Sequence, residues 1–263
     1  MLTLTRARLT SASAGEPLPT VFKTLADATV HIRQGQFTLI AAGPGVGKSL
    51  VSLTLALRAK VPTYYFSADS DAFTMYTRAA AMLTGWTVQD IEHQLHMGNL
   101  ATIDAQLNGN DHIRWNFDAN PSMDDIDEEL KAFAATYGEY PKLIVVDNLR
   151  NVFDPEGEKG SVDGVCDFLH ERARETGAAV IGLHHVTGQY DDGITPVPMS
   201  GLMGKVSKVP EVVLTLNRNP QLDFNGAQAM NVCPVKNRGG IADPSGQTSY
   251  ALTANMDTMT LIG

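Results

Sequence analysis

The chain has 263 residues, 43% of them apolar and 19% charged, a composition that excludes a disordered or fibrous protein and suffices for one large hydrophobic core. A net charge of −9 argues against a surface coated with nucleic acid, although it leaves a local basic pore or groove open. Cys166 and Cys233 are far apart and outside any metal-ligand spacing, and no apolar run approaches the roughly 18 residues of a membrane span. The expected setting is therefore a reducing cytoplasm, away from membranes.

Residues 1–19 carry Arg6 and Arg8 and no acid before Glu16; they read as a flexible or partner-binding arm, and residues 20–263 as one domain. In that domain the apolar run 37–41 is β-prone. It leads into Ala42-Gly43-Pro44-Gly45-Val46-Gly47-Lys48-Ser49, the Walker A spacing with alanine in its first place, and a helical pattern follows over 50–58. Strand, glycine-rich turn and helix point a helix N-terminus at a phosphate. The glycines let backbone approach the ligand, the lysine reaches the β- and γ-phosphates, and the serine hydroxyl holds magnesium. Gly43, Pro44, Gly45, Val46, Gly47, Lys48, Ser49 and Leu50 are thus the expected binding residues for ATP and Mg2+.

Residues 62–67 read as a second strand. Its tip would lie near the γ-phosphate if the two strands are neighbours, which makes Asp69 the candidate base for an attacking water; Asp71 suits the cap of a helix over 72–83 instead. A weaker helical stretch covers 90–107, and a short strand 113–117. Ser122 is placed to cap a helix that runs to Tyr137 and stops at Gly138, with Asp124 and Asp125 in its positive first turn. Residues 143–147 form an apolar strand ending in a carboxylate, the Walker B form, so Asp147 joins Ser49 as a magnesium residue. A polar loop over 154–164, a helix over 165–175 and a strand over 178–183 follow. The long stretch 188–208, rich in glycine, proline, serine and aspartate, reads as a functional loop. Strands at 211–216, 229–235, 249–252 and 258–262 close the chain. Alternating strands and helices, then strands alone, predict an α/β fold: a mainly parallel twisted sheet flanked by helices, with a C-terminal antiparallel extension.

Four segments carry a more specific resemblance. Phe66-Ser67-Ala68-Asp69 with Arg78 nine residues on, 143–150 (LIVVDNLR), 180–186 (VIGLHHV) and 235–240 (VKNRGG) together resemble, in order, the RecA-type ATPase core of the DnaB-like replicative helicases. The His184-His185 pair is closer to the RepA-like phage and plasmid relatives. The resemblance runs from about residue 20 to the C-terminus. It implies a RecA-like P-loop NTPase fold and an ATP-dependent DNA helicase core in DNA replication. Such a core hydrolyses ATP at the subunit interfaces of a homo-oligomeric ring, a hexamer, and moves on single-stranded DNA in a bacterial or phage-infected cell. It also implies that Lys236 and Arg238 reach into a neighbour's ATP site, and that His185 senses the γ-phosphate; His184 alternates to the other face of its strand.

The chain departs from that pattern at Asp69, one methylene shorter than the family's glutamate, and at Pro210-Glu211, where relatives often carry Ala-Asp. Only about 35 residues precede the first strand, which leaves no room for the N-terminal helical domain of bacterial replicative helicases. Loops after Asp147 and after His185 are the expected grip on single-stranded DNA, through Arg150 and Lys159 on the first and Lys205 and Lys208 on the second; no aromatic cluster for base stacking accompanies them beyond Tyr190. A loader or other replication protein is a further expected partner. Two other readings stay open: a non-motor, recombinase-like or loader-type ATP-dependent DNA-binding protein, and a nuclease built on Asp69, Asp71, Asp147, Asp191 or Asp192.

Overall fold

The computed structural model describes residues 15–153, 161–204, 206, 208–223 and 226–263. In chain order its elements are α1 (Lys23–Asp27), β1 (Phe37–Ala42), α2 (Lys48–Ala59), β2 (Thr63–Ser67), α3 (Ala72–Thr84), α4 (Val88–Met97), α5 (Ala101–Leu107), β3 (Ile113–Asn116), α6 (Met123–Tyr137), β4 (Leu143–Asp147), α7 (Val162–Thr176), β5 (Ala179–His185), β6 (Val212–Leu222), β7 (Gln228–Asn237), β8 (Tyr250–Asn255) and β9 (Thr260–Ile262).

Along β1, Phe37, Leu39 and Ala41 pack into one apolar cluster, while Ile40 and Ala42 pack into another. A strand buried on both faces needs a layer of helices on each side. One layer is α2 to α5, through Leu50, Leu53, Met75, Met82, Ile91 and Ile103. The other is α6 and α7, through Ile126, Leu130, Phe133, Val165 and Leu169. Each fully buried side chain of this kind contributes about 1.5–3 kcal/mol. The strands form one sheet in the order β3-β2-β4-β5-β1-β6-β7-β8-β9. Pairing is parallel from β3 through β6 and antiparallel from β6 to β9. This is the expected mainly parallel sheet with an antiparallel extension.

Local chemistry sets the boundaries. Asp71 accepts the Thr74 N–H at 2.7 Å and starts α3, and Ser122 with Asp125 forms a reciprocal capping box at the start of α6. The stretch 90–107 is not one helix. It is α4 and α5, parted at Gly98, whose φ of 74° gives the left-handed C-cap that ends α4. The strand expected over 211–216 runs on to Leu222, because β6 and β7 continue as a hairpin beyond the sheet core; its exposed end, rich in Asn and Gln, has no apolar alternation to reveal it. Most of the arm expected over residues 1–19 lies outside the described residues. Its last residues pack on the domain: Gly15 and Leu18 N–H donate to Gln34 O and Ile32 O, both at 2.8 Å.

Candidate active site

The C-terminal ends of β1, β2, β4 and β5 converge, where open α/β sheets build their binding crevices. The turn after β1 carries Gly43 to Ser49. Gly47 has φ 119°, a conformation that side chains rarely adopt, and it delivers the chain into the N-terminus of α2. A Cβ at Gly43 would stand 3.0 Å from Tyr190 O and 3.2 Å from Asp191 Cα, so glycine is required there for the loop after β5 to close on the turn. The Lys48 ammonium donates to Ala42 O at 3.0 Å and to Gly43 O at 3.1 Å. Burial lowers its pKa, while Asp147, Asp69 and Asp191 pull the other way. The cleft above this turn holds about 260 Å3 and is lined by Gly45, Lys48, Ser49, Asp69, Arg78 and His185, with Met256 and Met259 from the β8–β9 hairpin.

Asp147 ends β4 and is buried. Burial pushes its carboxyl above the usual range, against a hydrogen bond from the Ser49 hydroxyl. Ser49 and Asp147 therefore converge as two hard oxygen donors, and among the described residues no group of three or more His, Cys, Asp or Glu could hold a metal by itself. One carboxylate plus one hydroxyl is the protein share that suits magnesium on a phosphate ligand; the same finding leaves the nuclease reading without its carboxylate cluster among these residues. Behind Asp147, Tyr65 donates to Asp147 Oδ2 at 3.4 Å and shares a 2.8 Å hydrogen bond with Ser52. Ala68 and Asp69 N–H donate to Asp147 O at 2.8 and 3.0 Å, so the turn carrying Asp69 is tied to the strand carrying Asp147.

The two histidines that end β5 part company. His184 is buried and its Nε2 lies 2.7 Å from Met203 O, while His185 lines the cleft. Burial lowers the pKa of both, that of His184 from 6.5 to about 4. A histidine with a depressed folded-state pKa stays neutral in the fold but protonates in the unfolded chain. Its contribution is whole above pH 6.5 and is lost as the pH falls toward 4. For His184 alone this loss is about 2 kcal/mol by pH 5. Urea unfolding at pH 8 and pH 5 checks it: the wild type loses stability between the two, and His184→Gln, which keeps an N–H donor for Met203 O but cannot titrate, loses markedly less.

Lys236 and Arg238 stand at the far end of the sheet from this cleft. Lys236 pairs with Val213, and Asn237 with Val212, which is level with Thr38 near the start of β1. The Lys236 ammonium donates to Lys208 O at 2.9 Å, and Arg238 donates to Glu211 Oε1 at 3.1 Å. The Lys208 carbonyl thus sits with this basic pair. Arg150, on the short turn after β4, reaches Met203 Sδ at 3.3 Å, which brings the loops after β4 and β5 into contact. Lys159 and Lys205 lie outside the described residues. Tyr190 has its ring against Gly201, where a Cβ would stand 2.5 Å from it, and is committed to packing. Sequence reasoning left Tyr65, Glu211 and the two hairpin methionines unassigned; none sits in a motif, and only the folded sheet brings them to these places. No helix among the described residues is long and apolar enough to cross a membrane.

A glycine-rich turn feeding a helix, a buried carboxylate on a parallel strand one place removed, and a polar end on the strand between them define a P-loop ATPase of the RecA-like type. Residues 17–250 match the model of the DnaB-like helicase C terminal domain, and the chain belongs to that family. It is 45% identical over 251 residues to the Gene 65 protein of Mycobacterium phage L5, covering 94% of this chain and 93% of that one. It is 21% identical over 215 residues to a probable plasmid replicative DNA helicase of Chlamydia trachomatis, of which it covers 47%. Its fold matches a DnaB-like replicative helicase of known structure with a TM-score of 0.79 and 17% identity, over 98% of this chain and 66% of that one. The chain is thus the ATPase core of a DnaB-like helicase motor.

Proposed function

We propose that this chain assembles into a homo-oligomeric ring, a hexamer, that hydrolyses ATP between subunits to move along single-stranded DNA. The observation that carries this reading is the distance between its parts: the phosphate turn, Asp69 and Asp147 share one end of the sheet, and Lys236 and Arg238 the other. Cations this far from their own phosphate turn complete an ATP site only by meeting a neighbour's.

In the assembled site, Lys48 exchanges the carbonyls of Ala42 and Gly43 for the β- and γ-phosphates. Ser49 and Asp147 would hold magnesium, which when bound offsets phosphate charge. Asp69 orients the attacking water and takes its proton; its turn is held by the two hydrogen bonds to Asp147 O, which compensates in part for a side chain one methylene shorter than glutamate. His185 contacts the γ-phosphate, and its carbonyl accepts Met203 N–H at 3.4 Å, so a shift at the phosphate passes into the loop after β5. That loop and Arg150 grip DNA phosphates without reading sequence; Lys159 and Lys205 fall in the same two loops. Lys208 belongs with the subunit-facing basic pair. The similarity to a phage protein supports action in a phage-infected bacterial cell, where a loader or other replication protein is the expected partner.

The test is steady-state ATP hydrolysis against protein concentration, with and without single-stranded DNA, alongside unwinding of a forked duplex. Specific activity is expected to climb with concentration and again with DNA, and the fork to open. Specific activity that is flat in both variables overturns the ring motor.

A further inference from the structure

Glu211 immediately precedes β6, beside the basic pair, and is 8% exposed. Its Oε2 accepts the Phe37 N–H at 3.1 Å, and its Oε1 accepts Arg238 Nη1 at 3.1 Å. His170 of α7 brings Nδ1 to 3.4 Å from Oε2. The main chain repeats the link: Glu211 N–H donates to Phe37 O at 3.0 Å, and Arg238 N–H to Glu211 O at 3.0 Å. One buried carboxylate therefore joins the start of β1, whose other end is the phosphate turn, to the guanidinium just past the end of β7.

A buried carboxylate is expensive unless its oxygens are satisfied by donors. Here both are, and one donor is a side chain that remains 54% exposed. Arg238 Nη2 also reaches Lys208 O at 3.5 Å, so one edge of the fork is fixed by this chain while the side chain projects from it. The guanidinium is planar with five donors, and holding one edge sets the direction of the others. An unrestrained surface arginine keeps most of its rotamer freedom and loses it on binding.

We propose that Glu211 is a positioning residue for the subunit-bridging Arg238: it presets the guanidinium for a neighbour's triphosphate and ties it to the strand that carries this chain's own phosphate turn. This inference rests on the reading of Arg238 as a group that acts in a neighbour's site. Glutamate in place of the shorter acid that relatives often carry then gives the carboxylate its reach to Phe37 N–H and Arg238 together.

The experiment measures single-stranded-DNA-stimulated ATP hydrolysis by the full chain for the wild type, Glu211→Gln, Glu211→Asp and Arg238→Ala, each alone and mixed with Lys48→Ala. Removing the groups that hold metal ligands in place typically lowers activity about 10- to 100-fold, and the same scale is expected for a group that holds Arg238. Glu211→Gln is expected to lose kcat on that scale with KM within about twofold of wild type, because its own ATP-binding turn is intact; Glu211→Asp is expected to lose less. Mixing Glu211→Gln with Lys48→Ala restores hydrolysis, since the Lys48→Ala subunit contributes a correctly held arginine to the intact ATP site beside it. A kcat for Glu211→Gln within twofold of wild type overturns the proposal. So does a loss that mixing does not restore while Arg238→Ala is restored, which marks damage to the fold. If Arg238→Ala itself is not restored by mixing, the subunit-bridging reading falls, and the Glu211 inference falls with it.

Discussion

Lys48→Ala is expected to stop ATP hydrolysis, with kcat lower by on the order of 10³-fold or more. A preplaced cation on developing phosphate charge in a water-poor cleft contributes several kcal/mol to the transition state, and no other lysine lines this cleft. Arg78 lines it too, but its Nη1 is engaged with Ser70 Oγ at 3.2 Å, which sets it beside the Asp69 turn. The variant is not expected to unfold more easily. Burial already disfavours the charged ammonium, which offsets the donor that the buried carbonyls of Ala42 and Gly43 lose. Phosphate-release kinetics with a thermal melt on the same sample checks both parts. Hydrolysis within tenfold of wild type would remove Lys48 from the chemistry, while a collapsed melt would reassign it to the fold.

Arg238→Ala is expected to lower hydrolysis by about 10³- to 10⁵-fold, the range for an arginine supplied to a phosphoryl-transfer site. The lost activity returns on mixing with Lys48→Ala. The argument is one of length. Arg238 N–H bonds Glu211 O, and Glu211 N–H bonds Phe37 O, which sets Arg238 level with the first residue of β1. The phosphate turn begins after the last residue of that strand. At about 3.3 Å per residue the two are separated by roughly 20 Å, beyond the reach of one side chain. Neither variant alone then forms a competent site, but a mixed ring does, wherever an intact ATP site meets an intact arginine. Arg238→Lys is not a conservative control, because a point charge lacks the planar fork. Failure of the mixture to recover would refute assembly of the site between subunits.

Much of the site was legible in the sequence, for a local reason. The glycine-rich turn is a run of eight residues whose glycines, lysine and serine each suit a phosphate ligand, and neighbours in sequence stay neighbours in space. The capping residues Asp71 and Ser122 were legible on the same ground, as was the opposite facing of His184 and His185, which follows from the two-residue period of a strand. Where the local signal was weak the reading slipped. The division of α4 from α5 at Gly98 depends on one left-handed residue, and the far half of β6 has no apolar alternation. Along the chain Lys208 belongs to the loop after His185, and only the folded sheet brings its carbonyl to Lys236 and Arg238.

By itself, then, the sequence determined the class of the fold, the phosphate turn with its lysine and serine, and the carboxylate at the tip of β4. Each of these is written in a short stretch and enforced by backbone geometry or strand period. The tertiary structure alone decided which distant residues share a place: Tyr65 and Ser52 behind Asp147, Met256 and Met259 at the mouth of the cleft, and Glu211 between Phe37, His170 and Arg238. It also decided that the basic pair lies a strand's length from its own phosphate turn. Sheet order and register fix these relations. They arise from packing two apolar faces between helix layers, a long-range condition that no short stretch of residues encodes.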